Sequence, residues 1–347
     1  MTNQNISIGM SDKNSPADQF LHDYISELTG AAGVASGDRV QSLWSGYGEI
    51  RRYHINGGNS DGNDPTPESV IVKDINPPET AAHPRGWNTS ISHQRKLHSY
   101  EVEACWYREY ARRCNNDCRV AKGYGVTHKS NRQVIVMEDL DREFPARVSN
   151  SAYRQSAHQI EACLKWLAHF HAKFFNVAAD GLWSTGTYWH LDTRPDELQA
   201  MQEGKLRESA QWLDQQLSDC PYQTLVHGDA KIANFCFNQD GSQVAAVDFQ
   251  YVGRGIGVRD VAYFLGSCMN EQELLEHDRK MLDVYHEALI AALETYHPQQ
   301  PAEDIANTWL NLYAVAWTDF YRFLSGWMPD HPKTHAYTRK LAEQVLA

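Results

Sequence analysis

The chain has 347 residues, a formal net charge of −12, 42% hydrophobic and 22% charged residues. That length suits two lobes sharing a cleft, and the acidic balance argues against a nucleic-acid partner while remaining compatible with a cationic small molecule. No apolar run approaches the ~20 residues a bilayer span needs, the N-terminus lacks a signal-peptide core, and the cysteines lack paired metal spacing, so a cytoplasmic protein with reduced thiols and no membrane partner is expected.

Residues 1–16 are polar and expected to be disordered, with Ser15-Pro16 opening a helix over Ala17 to Leu28. Gln41 to Ile50 sets Ser45-Gly46-Tyr47-Gly48 between two β-like stretches. Gly46 and Gly48 would let backbone amides approach a phosphate, although a simple turn accounts for the same pattern. Asn56 to Glu68, rich in Gly, Asn, Asp and Pro, reads as a loop, and Ser69 to Ile75 as a β-branched strand carrying Lys73.

From Ser92 to Arg113, Val102, Cys105, Trp106 and Tyr110 recur at three- and four-residue intervals, which predicts an amphipathic helix. Glu101 and Glu103 cannot both face inward; Glu103 shares the face of Trp106, and Glu101 is left to solvent. Gln133 to Leu140 is a buried-type strand ending in Glu138-Asp139-Leu140. A lobe boundary is expected there, giving 1–139 and 140–347. Ser156 to Phe175 places Ile160, Leu164, Leu167, His171 and Phe174 on one helical face, with His169 and His171 as packing or hydrogen-bonding residues.

Residues 227–234 read His-Gly-Asp-Ala-Lys-Ile-Ala-Asn, and fourteen residues past Asn234 stands Asp248, followed by Phe249-Gln250. Moving the γ-phosphoryl group of ATP to a hydroxyl needs a carboxylate beside the acceptor oxygen and two oxygen ligands that hold magnesium against the phosphates. Asp229, Asn234 and Asp248 supply that set, at the Asp-x4-Asn interval of the protein-kinase catalytic loop and with Gln250 in place of the Asp-Phe-Gly glycine. Phe235 to Phe237 and Gln243 to Phe249 read as strands around an Asn238 to Gly241 turn, a hairpin that would return Asp248 to Asn234.

Such chemistry also needs a strand lysine on the phosphates and a helix glutamate to hold it, which points to Lys73 and Glu103. Glu138 to Leu140 are placed as a hinge that would bond adenine through its backbone. No Gly-Lys-Ser or Gly-Lys-Thr occurs, which argues against a P-loop enzyme.

With these residues assembled, the chain resembles the aminoglycoside phosphotransferase and choline kinase superfamily, and through Glu138-Asp139-Leu140 and Asp248-Phe249-Gln250 most of all its ecdysteroid-kinase-like branch. The resemblance runs over roughly residues 40 to 330 by motif order. It implies an α+β, two-lobed protein-kinase-like fold, with a small β-rich N-terminal lobe and a larger, mainly helical C-terminal lobe. It also implies ATP and Mg2+ as cofactors, Asp229 as base or acceptor-orienting group, Asn234 and Asp248 as magnesium ligands, and Lys231 as a charge neutraliser on the moving phosphoryl group.

Asp260 matches an aspartate that supports the catalytic loop from a helix start, and His227 would be a structural member of that loop. Lys231 stands where the branch often carries tryptophan, which loosens any transfer of steroid specificity. The implied partner is a small-molecule hydroxyl acceptor: a lipophilic alcohol, an amino alcohol or an aminoglycoside-type sugar. Trp309, Tyr313, Trp317 and Phe320 share a helical face that could wall an acceptor, with Asp319 adding a carboxylate, although such a stripe suits a core better. The alternative from another class is a non-catalytic nucleotide-binding module; the presence of every expected polar group speaks against it. Gly228, Gln250 and the lack of an Ala-Pro-Glu segment speak against a protein kinase.

Overall fold

The computed structural model describes residues 16–43, 46–58, 66–77, 89–148 and 156–347. The expectations for residues 1–15 and for the middle of the Asn56 to Glu68 loop lie outside these.

The N-terminal part is helix α1 (Pro16–Thr29), strands β1 (Gly33–Ser42), β2 (Gly48–Asn56) and β3 (Ser69–Ile75), helix α2 (Thr89–Cys105), then β4 (Arg119–Val120), β5 (Gly123–Lys129) and β6 (Arg132–Glu138). Five of the strands form an antiparallel sheet in the order β1-β2-β3-β6-β5. The two-residue period of β3 decides what each face does. Val70 and Val72 pack with Leu21 and Ile25 of α1 on the outer face, while Lys73 and Ile75 project to the other, toward the large core.

The predicted Ser92 to Arg113 helix is α-helical only as far as Cys105; Trp106–Tyr110 is a π-helical turn and Ala111–Arg113 a 3-10 turn. The π turn inserts an extra residue into the helix, and Trp106, Tyr107 and Tyr110 are all buried. Trp106 stacks on Phe249, with ring centroids 4.3 Å apart and planes 11° apart.

After β6 come β7 (Ala146–Arg147), α3 (Ala157–Lys173), α4 (Pro195–Ala200), α5 (Lys205–Glu208), α6 (Ala210–Ser218) and β8 (Thr224–Val226). They are followed by β9 (Phe235–Phe237), β10 (Val244–Ala246), β11 (Gly253–Gly255), α7 (Val258–Cys268), α8 (Glu271–Tyr296), α9 (Ala302–Asn311), α10 (Tyr313–Trp327) and α11 (Ala336–Leu346). A small β-sheet lobe followed by a larger helical lobe is the two-lobed protein-kinase-like architecture. Ser156 caps α3 through a reciprocal capping box with Gln159. The strand β4 lies outside the first sheet and pairs in parallel with β10, in a second sheet of order β4-β10-β9-β7.

Two expectations are corrected. The strand predicted to run to Phe249 ends at Ala246, because Asp248 takes a left-handed backbone with φ of 69° that no strand residue holds. The aromatic face expected of a single C-terminal helix is divided between α9 and α10 by Leu312, at φ −91° and ψ 1°. Trp309, Tyr313 and Trp317 belong to the main core, whereas Phe320 and Phe323 join Trp189, Tyr263 and Leu324 in a separate cluster.

Gly48 is required at the β1–β2 turn. Its φ is 133°, and a Cβ there would lie 2.0 Å from the Asp74 carbonyl oxygen on β3. Gly48→Ala is expected to lower stability by roughly 2 kcal/mol or more, since both backbone and neighbour strand must shift; urea unfolding measures it.

Candidate active site

A cavity of about 360 Å³ lies between the sheet and the β9–β10 hairpin. Leu43, Ile50 and Ile71 line it from the sheet, Cys236 and Val247 from the hairpin, and Met137 to Asp141 from the connection between the lobes. Apolar surface from Leu43, Ile50, Ile71, Met137 and Val247 beside charged groups suits a flat heteroaromatic ring with a charged tail.

Lys73, Glu103, Asn234 and Asp248 gather at one end of it. Lys73 Nζ lies 2.5 Å from Glu103 Oε2 and 3.6 Å from Asp248 Oδ1, with both Lys73 and Glu103 almost wholly buried. Burial disfavours the Lys73 ammonium, but Glu103 and then Asp248 outweigh it and raise its pKa above the ordinary lysine value. Glu101, two residues away, is exposed, 3.4 Å from His128.

Burial also pushes the Asp248 carboxyl up, but Lys73, Lys231 and Lys96 more than reverse this and hold it down to about 2. The group is therefore ionised throughout the neutral range. The hairpin that returns it works through the backbone: β9 pairs with β10, and the Val247 N–H donates to the Asn234 carbonyl at 2.9 Å.

Asp229 Oδ2 accepts from Lys231 Nζ at 2.8 Å and from Asn234 Nδ2 at 3.1 Å; the same Asn234 nitrogen donates to the Asp229 carbonyl at 2.8 Å. That fixes the amide orientation and leaves Asn234 Oδ1 without a partner among the described residues. Burial lowers the Lys231 pKa, and Asp229 followed by Asp248 raises it to a net increase. Among the described residues no cluster of three or more His, Cys, Asp or Glu side chains suits a resident metal. What the site offers is two oxygen donors, from Asn234 and Asp248, which fit a magnesium ion completed by phosphate oxygens and water.

The loop 227–234 is set from below by α7. Asp260 Oδ2 accepts the His227 N–H at 2.5 Å and Oδ1 the Gly228 N–H at 2.9 Å, while Oδ2 also lies 3.1 Å from His171 Nε2. His227 bonds the Val247 carbonyl at 3.0 Å, which ties the loop to the hairpin. His171 also hydrogen-bonds Tyr285 at 2.9 Å, within the packing or hydrogen-bonding role expected of it.

Other expected positions turn out differently. Gly46 spends its N–H on the Leu43 carbonyl, Gly48 packs on β3, and neither is among the described residues lining the cavity. At the connection, Glu138 lines the cavity but its N–H donates to the Lys122 carbonyl at 2.8 Å and its carboxylate holds Arg119. Leu140 also lines it, and its N–H has no partner among the described residues. Asp319 is bonded to Arg322 at 2.9 Å inside the helical lobe, which removes it from any acceptor surface.

Sequence reasoning missed a charged frame around the connection: Arg52 holds both Asp139 and Asp141, and Ser69 Oγ donates to Asp139 at 2.7 Å. These residues lie on three different elements, and nothing in their local spacing marks them.

No curated protein matches the chain in sequence. A family model does. Residues 183–297 match the ecdysteroid kinase-like family. The ecdysteroid kinase-like segment is about a third of the 347 residues and contains Asp229, Asn234, Asp248 and Asp260. The match supports a place in the protein-kinase-like superfamily of small-molecule kinases. Among solved structures, one from Haemophilus somnus 129PT described as a candidate fructosamine-3-kinase overlaps with a TM-score of 0.45 at 13% identity, covering 94% of this chain and 97% of that one.

Beside Asp229, Tyr263 is raised well above its ordinary pKa by burial and then by the Asp229 charge. Lys333 Nζ lies over Tyr263 at 4.8 Å and Phe320 at 5.4 Å, and Arg194 lies over Tyr188 at 5.7 Å and Phe323 at 5.2 Å. Burial lowers Lys333 to about 8, partly countered by Cys268 and Asp229.

Two predictions follow from these contacts. Asp260→Ala strands two buried loop amides and should cost roughly 2–5 kcal/mol in urea unfolding, with faster hydrogen exchange at His227 and Gly228. For Lys333, the unfolded chain binds the extra proton between pH 8 and 10.5, so stability rises with pH across that window and the full penalty applies below it. Lys333→Met should therefore melt higher than the parent at pH 7 and lose that advantage as pH approaches 10.5.

Proposed function

We propose that the protein is an ATP- and Mg2+-dependent phosphotransferase that phosphorylates a hydroxyl of a small organic acceptor. The observation that carries this reading is Lys73, which reaches from the sheet lobe to Glu103 and Asp248 together and so closes the phosphate end of the cavity. The family match over residues 183–297 supports the same class of chemistry.

In this reading the adenine lies between Leu43, Ile50 and Ile71 above and Val247 below, with the open Leu140 N–H as a backbone donor. Lys73 holds phosphate oxygens, and Asn234 Oδ1 and the Asp248 carboxylate hold magnesium. The metal, when bound, neutralises charge on the β- and γ-phosphates and fixes their orientation. Asp229 accepts a hydrogen bond from the acceptor hydroxyl and takes its proton as the new oxygen–phosphorus bond forms and the bond to the β-phosphate oxygen breaks, releasing ADP. Lys231, beside Asp229, counters the charge gathering on the moving group.

In this reading the acceptor approaches Asp229 on the side of Tyr188 and Tyr263, both of which feel the Asp229 charge, with Phe320 packed against Tyr263. The faces of those rings already carry the protein's own cations, Lys333 and Arg194, so they do not form an open cage for a quaternary ammonium. This favours a neutral alcohol over a choline-like acceptor.

The test is magnesium-dependent ADP release from ATP against pooled amino alcohols, sterols, sugars and aminoglycosides. One pool should raise ADP release, and Asp229→Asn should reduce that signal roughly 10²–10⁴-fold with ATP affinity within about twofold of the parent. Turnover retained by Asp229→Asn would remove Asp229 as the base.

A further inference from the structure

Gln250 has a buried side chain, only 6% exposed, running from α2 to the Asp248 carboxylate. Its Oε1 accepts from Lys96 Nζ at 2.7 Å and from Ser99 Oγ at 3.2 Å. Its Nε2 donates to Asp248 Oδ1 at 2.7 Å. A primary amide is the side-chain group that accepts at one end and donates at the other. A carboxylate in its place would still receive Lys96 but would repel Asp248; an apolar chain would do neither.

The donors on α2 are themselves held. The Lys96 ammonium lies 4.7 Å from the Tyr100 ring centroid, and the Ser99 hydroxyl also reaches the Lys96 carbonyl at 2.7 Å. At the other end the Gln250 carbonyl accepts from Trp183 Nε1 at 2.8 Å. With Oδ1 of Asp248 engaged by the amide, Oδ2 has no hydrogen bond among the described residues. One oxygen anchors the carboxylate and the other is left open.

We propose that Gln250 is a positioning residue that locks the Asp248 carboxylate to helix α2, so that Glu103 and Asp248 are placed by one and the same helix. The proposal rests on the phosphotransferase reading, in which Asp248 holds magnesium. A glycine at this point, as in the Asp-Phe-Gly motif, supplies no such tether. Here the Lys73–Glu103 pair and the Lys96–Gln250–Asp248 chain are two separate links between α2 and the phosphate end of the cavity.

The experiment titrates a non-hydrolysable ATP analogue by calorimetry with and without Mg2+, using the full chain, Gln250→Met, Lys96→Met, the double variant and Asp248→Ala. Gln250→Met should weaken magnesium-dependent binding about 10–100-fold, with metal-free binding within about twofold of the parent. Lys96→Met should shift the same quantity in the same direction, and the double variant should fall short of the product of the two single effects, because both act through one chain of bonds. A role confined to packing would lower the melting temperature and leave the magnesium dependence unmoved.

Wild-type magnesium dependence in Gln250→Met, alongside its loss in Asp248→Ala, overturns the positioning role and leaves the phosphotransferase reading standing. Unchanged magnesium dependence in Asp248→Ala overturns both. Should Gln250→Met fail to fold by near-ultraviolet circular dichroism, Lys96→Met decides alone: unaltered magnesium dependence there sinks the proposal.

Discussion

Lys73 sits between two carboxylates that belong to different parts of the molecule, Glu103 on α2 and Asp248 after the β9–β10 hairpin. Burying an ammonium away from water costs several kcal/mol unless opposite charge meets it. The sheet can therefore keep Lys73 on its inner face only when α2 and the hairpin are both in place. That requirement couples three elements that share no continuous hydrogen-bonded ladder. It also explains how this end of the cavity can be so densely charged: Lys73, Glu103 and Asp248 satisfy one another across it. Asp229 and Lys231 repeat the arrangement one step further out, at 2.8 Å.

Much of this was legible in the sequence because it is local. Asp229, Lys231 and Asn234 lie within six residues, so a single loop conformation brings them together. Strand β3 was legible from its β-branched run, and α3 from its helical period. Glu103 could be told from Glu101 because a two-residue step on a helix turns a side chain away. The Gln250 amide was not legible in this way, since its partners Lys96 and Ser99 are 154 and 151 residues distant in the chain. The same holds for Arg52, 87 residues from Asp139.

The misread elements share another cause. The strand toward Phe249 and the single aromatic helix were inferred from residue type, and residue type does not record a backbone dihedral. Asp248 turns left-handed and Leu312 interrupts the helix, each inside an apolar run that looks continuous. Gly46 and Gly48 show the converse: glycine marked a real conformational need, but the need was a turn with positive φ at both, packed tightly against Asp74 at Gly48.

Residues with positive φ other than glycine persist where their surroundings over-determine them. Asp248 meets that condition through its neighbours. Phe249 is stacked on Trp106 of the π turn and lies 4.6 Å from the His227 ring. Gln250 is held through both its side chain and its carbonyl, and Tyr251 packs against Trp183 and Tyr188. These contacts come from helix α2 and its π turn, the 227–234 loop and the 183–188 stretch, so relaxing Asp248 to an ordinary backbone would break several at once. The extra residue of the π turn belongs to the same device, because Trp106 is the surface on which Phe249 rests. A carboxylate fixed in this manner reaches its working orientation during folding and needs no rearrangement when charge arrives, which is the physical meaning of preorganisation in an ionic site.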